Sequence, residues 1–171
     1  LDTAGIVVFG SDHGMCGAFN ERIRAHVLEW RRDIGVSRDK LWVTTVGHRI
    51  ERHLYDTSLQ LDAHLDVPGS VDGVTPFVDD VLVQLDTWQS DYDVDHVWLL
   101  FNQTRGAAGF EPATARLLPV DRPWLEDIDQ REWPTRIRPT FRMAADQLFS
   151  TLIRERLFIT IYRACCESLA A

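Results

Sequence analysis

The sequence predicts an α/β fold: a Rossmann-like sheet with flanking helices, followed by the start of a long C-terminal coiled-coil helix. Three observations carry this. Short apolar runs rich in β-branched residues recur at 6–9, 41–46 and 96–101, apolar stripes at helical spacing separate them, and no Gly or Pro interrupts residues 140–171.

Residues 6–9 run into a glycine loop at 10–17, the pattern of a buried strand feeding a turn. In the following helix Phe19, Ile23, His26, Val27, Trp30 and Ile34 recur at helical spacing, and Gly35 supplies the stop. Residues 41–46 form the second strand. Leu59, Leu61, Ala63 and Leu65 alternate with Gln60, Asp62, His64 and Asp66, the period of two that marks a half-exposed edge strand. Pro68, Gly69 and Ser70 break that pattern. Val71, Val74, Phe77, Val78, Val81, Leu82, Leu85 and Trp88 then make one stripe of an amphipathic helix of about five turns. Residues 96–101, apolar almost throughout, read as a central strand, giving a β-α-β-β-α-β order. After a loop at 105–109 comes a short strand at 115–118, then a Pro- and Trp-rich stretch at 119–139.

The last segment divides the chain into a globular domain, 1–139, and a long helix, 140–171, whose end belongs to a truncated coiled coil. At 1.5 Å per residue this helix is about 48 Å long, more than the globular part covers. Phe141, Ala145, Leu148, Leu152, Glu155, Ile159, Tyr162, Cys166 and Leu169 step by four and three, a heptad seam with one charged exception. Phe149, Ile153, Leu157 and Ile161 make a second stripe beside it. Two stripes imply two partners. The expectation is that the first turns pack on the sheet, while the later ones, with Ile159, Tyr162, Cys166 and Leu169, seek a helix this chain does not contain.

Composition narrows the function. The chain has 171 residues, 45% hydrophobic and 26% charged, enough for a sizeable core without disulfides or a structural metal. Its net charge of -8 argues against a nucleic-acid partner, which needs a basic footprint. Between Arg52 and Arg105 there are ten Asp and no Lys or Arg, whereas from Arg131 onward seven Arg face four acids. Such runs are solvated faces or meet partners of opposite charge. Cys16, Cys165 and Cys166 show no disulfide framework and fit a reducing compartment. The chain begins at Leu1, carries no leader pattern and has no apolar run near the roughly 20 residues of a membrane helix. It reads as a soluble piece of a longer product.

Motifs for catalysis are weak. The loop at 10–17 sits where a phosphate loop sits, but its glycines at 10, 14 and 17 miss the dinucleotide spacing, and Lys40, the sole lysine, is elsewhere. A structural glycine turn is the plainer reading, and Cys16 beside His13 lacks an orienting third group. Asp91, Asp93 and Asp95 imitate a calcium loop, with His96 and Asn102 where Gly and Glu are required. His48 and His53, five apart, do not share a helix face for zinc. Neither a metal nor a cofactor is called for.

The residues do resemble a family. Ser11-Asp12-His13-Gly14-Met15-Cys16-Gly17-Ala18-Phe19-Asn20 is similar to the S-D-R-G-L-C-G-G-F-N signature of the gamma subunit of F-type ATP synthases. In the same order, Val46-Gly47-His48-Arg49 resembles its V-G-R-K, Leu99-Leu100-Phe101-Asn102 its strand ending in Y-N, and Glu111-Pro112 with Leu117-Leu118-Pro119 its E-P and L-L-P. Arg138-Pro139 stands at its usual E-P. His13, Met15, Ala18, His48 and Arg49 depart from the pattern, so contacts of the family's Arg and Lys do not carry over. The resemblance implies a Rossmann-like domain at the foot of a rotor stalk, bound to the epsilon subunit and the c-ring, whose coiled coil passes torque to the alpha/beta hexamer. It also implies a peripheral place on the cytoplasmic face of the bacterial inner membrane, catalysis in other subunits, and an N-terminal partner helix absent from this chain. The alternative is a free-standing nucleotide- or phosphate-binding enzyme using the 10–17 loop.

Overall fold

The computed structural model describes residues 2–12, 17–106, 109–120, 122–132, 135–137, 140 and 142–171. The strand at the centre is β1 (Ala4–Phe9), buried along its whole length. It pairs in parallel with β2 (Leu41–Val46) on one side and β4 (Val97–Thr104) on the other, so that Val7 lies opposite both Thr44 and Leu99. Parallel β3 (Leu61–Leu65) closes one edge and antiparallel β5 (Phe110–Leu118) the other, in the order β3-β2-β1-β4-β5.

Alternation along the strands gives the sheet two apolar faces. Ile6, Val8, Trp98 and Leu100 point one way and meet Ile23 and Val27 of helix α1 (Phe19–Ile34) and Ile50 and Leu54 of α2 (His48–Tyr55). Val7, Phe9, Leu99, Phe101 and Leu117 point the other way and meet Phe77, Val78, Val81, Leu85 and Trp88 of α3 (Val74–Tyr92). Gly35 ends α1 with φ +69°, the left-handed cap its position predicted. Buried Trp88 donates its indole N–H to Asp62 Oδ2 at 2.8 Å, which ties α3 to the edge strand. All ten Asp of the basic-free stretch are exposed, as both a solvated face and a surface for a basic partner require.

Four elements differ from the sequence reading. Helix α2, between β2 and β3, was read as part of a direct strand-to-strand connection; with only Ile50 and Leu54 buried it is too short to display a period. Strand β5 starts at Phe110 rather than 115, because Pro112 is tolerated on an edge strand. The 119–139 stretch holds a helix, α4 (Arg122–Gln130), and the long helix α5 (Ala145–Ala170) starts five residues later than expected, about 39 Å long rather than 48.

The largest correction concerns polarity. It is the second half of α5 that packs on the sheet: Ile161, Ala164 and Cys165 are buried, and Leu157, Phe158, Tyr162 and Cys166 pack against the same core. Glu167 Oε2 accepts from Thr104 N–H at 3.2 Å and Thr104 Oγ1 at 2.9 Å, fixing the end of α5 to the end of β4. The first half is the exposed one, with Phe149 and Leu152 each more than half accessible. Heptad spacing identifies a stripe but carries no information on which turns of it reach the sheet. Burial, with Cys166 as the lesser cause, pushes the Cys165 thiol up to about 12, so Cys165 acts as an inert core residue.

This division has a mutational consequence. Ile161→Ala should cost about 2–5 kcal/mol in urea unfolding through the cavity it leaves. Phe149→Ala should change stability by only about 0.5 kcal/mol. Equal effects at the two positions would contradict the packing described.

Candidate functional site

The predicted loop leaves β1 at the carboxyl ends of the parallel strands, where open α/β sheets place their sites. Of its residues the structure describes Ser11, Asp12, Gly17 and Asn20; His13, Gly14, Met15 and Cys16 lie outside the described residues, as do Phe141 and the Arg138-Pro139 pair. Asn20, in the first turn of α1 and 6% exposed, turns back on the loop. Its Oδ1 accepts from Ser11 N–H at 3.0 Å and its Nδ2 donates to Ser11 Oγ at 2.8 Å.

The loop also grips the start of α2. Asp12 Oδ1 accepts from the backbone N–H of His48 at 2.7 Å, a carboxylate on the positive end of a helix, and Ser11 carbonyl accepts from Arg49 N–H at 3.2 Å. Two motifs separated by 36 residues, Ser11-Asp12 and Gly47-His48-Arg49, are therefore interlocked. Glycine is required at the crossing. A Cβ on Gly10 would lie 2.3 Å from Ile50 Cβ, while Gly17 holds φ +52° with open space around it. Asn102, at the end of β4, is fully buried and donates its Nδ2 to Phe19 carbonyl at 3.1 Å, joining a third motif to the N-terminus of α1.

Asn20, Ser11 and Asp12 are thus engaged with one another and with α2, which makes the described part of the loop a structural clasp. Asp12 adds negative charge at the mouth, unfavourable for a phosphate. The free-standing phosphate-binding alternative gains no support from this geometry.

The predicted coiled-coil residues fall into two groups. Tyr162 and Cys166 lie half-buried against the core, whereas Leu152, Ile159 and Leu169 are 56%, 55% and 46% exposed. Leu152 and Ile159, with Phe149, Ile153 and Leu125 of α4, line an open apolar groove of about 660 Å³ edged by Arg156 and Arg163.

Sequence reasoning missed one cluster. His48 pairs with His64 of β3 rather than with His53, and the i,i+3 spacing of His48 and Glu51 on α2 was the available signal. Among the described residues no helix is long and apolar enough to cross a membrane.

Comparison with known proteins gives the family. A family model described as ATP synthase matches residues 1–171. The chain belongs to the ATP synthase family. It is similar to the ATP synthase gamma chains of Polynucleobacter asymbioticus, 22% identical over 98% of this chain, and Glaesserella parasuis, 24% identical over 98%. It spans 57% of the length of each of these relatives. Its fold matches a chain in the central stalk/c-ring structure of the Tetrahymena thermophila mitochondrial ATP synthase, with a TM-score of 0.67 at 18% identity over 98% of this chain and 70% of that one. A chain of the Euglena gracilis mitochondrial ATP synthase rotor matches with a TM-score of 0.64 at 14% identity, over 98% and 61%. The interlocked motifs are those that resemble the gamma subunit.

Removing the clasp should be costly. Asn20→Ala removes both hydrogen bonds that Asn20 makes to Ser11 and should destabilise by about 1–3 kcal/mol. Gly10→Ala, forced against the buried Ile50 side chain and Asn20 Oδ1, should cost a similar amount, and Gly17→Ala about 1 kcal/mol from conformation alone. Thermal unfolding of the three variants checks this; parent-like melting of Asn20→Ala and Gly10→Ala would show that the clasp is not structural.

Proposed function

We propose that this chain is the globular part of the gamma subunit in the rotor of a proton-translocating F-type ATP synthase, turning with the c-ring and coupling ion flow to the alpha/beta hexamer. The observation that carries the reading is the division of α5: its later half is fastened to the sheet by Ile161, Ala164 and Cys165, while Phe149 and Leu152 of the earlier half, and Ile159 on the outward side of the later half, stand exposed. A helix anchored at one end and apolar at the other suits a stalk that must not slip in its own head while it engages a second helix.

On this reading the residues 140–171 form the connection between the globular body, 1–139, and the stalk. The exposed stripe takes the subunit's own N-terminal helix, supplying the neighbour that a heptad seam needs. The epsilon subunit and the c-ring meet the body, and the enzyme sits peripherally on the cytoplasmic face of a bacterial inner membrane. The work of the chain is mechanical, with ATP made and hydrolysed on other subunits. The bacterial gamma-chain relatives and the fold match to rotor structures support this assignment.

The test uses the complete subunit in membranes that carry the assembled enzyme. Leu152→Asp with Ile159→Asp should lower ATP-driven proton pumping by about tenfold or more, since burying carboxylates in an apolar seam costs more than the ~1.4 kcal/mol that a factor of ten represents. Leu152→Met with Ile159→Val should keep it. Full pumping by the double Asp variant, or by membranes lacking the protein altogether, would contradict the proposal.

A further inference from the structure

Away from the loop and the seam, the carboxyl edge of the sheet holds a cluster of four side chains, two imidazoles and two carboxylates, that converge rather than pair off. We propose that His48, Glu51 and His64 bind one divalent metal ion of the zinc class, with Asp66 as the carboxylate behind the imidazoles. The proposal does not depend on the rotor reading.

Local structure explains the convergence. His48 and Glu51 occupy the first turn of α2, three residues apart and so on one face. Pairing of β2 with β3 sets His64 beside Thr45, two residues before the Gly47 that starts α2, so the strand delivers its imidazole to that face. One donor atom from each of the three residues lies within 4.8 Å of the others. Glu51 Oε2 is 3.8 Å from His48 Nδ1 and 3.5 Å from His64 Nδ1. Ligands about 2.0–2.1 Å from a tetrahedral ion stand about 3.4 Å apart, so two edges of the tetrahedron are nearly formed.

The remaining contacts fit the same role. The two rings stack with centroids 4.4 Å apart and planes 19° from parallel, so binding one ion requires both rings to turn out of the stack until their in-plane Nδ1 lone pairs meet. On the far side Asp66 Oδ1 lies 3.4 Å from Nε2 of each ring. His64 Nε2 is buried without a hydrogen bond, and Asp66 stands close enough to take its proton once the rings turn, which would fix the tautomer that leaves Nδ1 free for metal. Thr45 Oγ1 hydrogen-bonds His64 Nδ1 at 3.3 Å, a bond that metal binding through Nδ1 would have to displace. The His48 side chain is 61% exposed, which leaves an entry path and room for water as the fourth ligand. Imidazole with carboxylate selects zinc, cobalt or nickel over magnesium and calcium, which prefer all-oxygen shells. The ion would join α2 to the edge strand β3, which has a hydrogen-bonded neighbour on one side only.

The experiment is calorimetric titration of the tag-free protein with zinc chloride, with cobalt(II) absorption as a second readout. One zinc per chain with a dissociation constant of about 10 μM or tighter is expected, and Glu51→Gln or His64→Gln should weaken it about tenfold or more. Should His64→Gln fail to fold, exposed His48→Gln provides the same comparison. His53→Gln, on α2 but outside the cluster, should bind as the parent does. Cobalt should give visible ligand-field bands without thiolate charge transfer. No saturable binding up to about 1 mM, equal loss in His53→Gln, parent-like binding by the cluster variants, or a thiolate band would each overturn the site.

Discussion

A parallel sheet is stable only when both of its faces are covered, and the structure follows from how that requirement is met. Helices α1 and α2 cover one face. On the other, α3 leaves Leu99, Phe101 and Leu117 to be shared with α5, whose Ile161, Ala164 and Cys165 complete the same core. Half of the long helix is therefore committed to the domain. Its earlier half carries the same kind of apolar residues with no sheet beneath them, and this leaves Phe149 and Leu152 exposed, while Ile159 is exposed on the outward side of the later half. Anchorage and availability on one helix are what the proposed rotor role requires.

The carboxyl end of the parallel strands is organised by polar contacts. Asn20 holds Ser11, Asp12 holds the start of α2, and Asn102 holds the start of α1, so three separate motifs close one corner. Their spacing along the sequence conceals that they touch. In a nucleotide-binding relative of this architecture such groups would face a ligand. Here they face one another, which turns a position suited to chemistry into a rigid junction. The imidazole pair of His48 and His64 lies on the outer side of that junction, where α2 and the edge strand meet.

Much of the fold was legible because its buried segments are strongly patterned. The strands at 4–9, 41–46 and 97–104 are built on apolar runs (6–9, 41–43 and 97–101), Gly35 marks a helix end, and the α3 stripe from Val74 to Trp88 repeats with a helical period. What escaped was weakly patterned or non-local. Helix α2 buries two side chains, Ile50 and Leu54, too few to reveal a period. Strand β5 is an edge element whose alternation is blurred by Glu111 and Pro112. Which half of α5 reaches the sheet depends on where Thr104 and Glu167 meet across 63 residues, and no local pattern reports that. For the site, Ser11, Asp12 and Asn20 were singled out by resemblance, while their mutual hydrogen bonds and the His48–His64 stack are products of the folded chain.

The claim on which the account turns is that α5 is one helix with two attachments, its later half belonging to the domain and its earlier half reserved for a partner. Amide hydrogen exchange along α5 of the 171-residue chain, with residue resolution, measures this directly. Amides at 157–166 should exchange only with global unfolding, and those at 147–153 through local opening at much lower free energy. Uniform protection along the helix, or stronger protection in its first half than in its second, would contradict it.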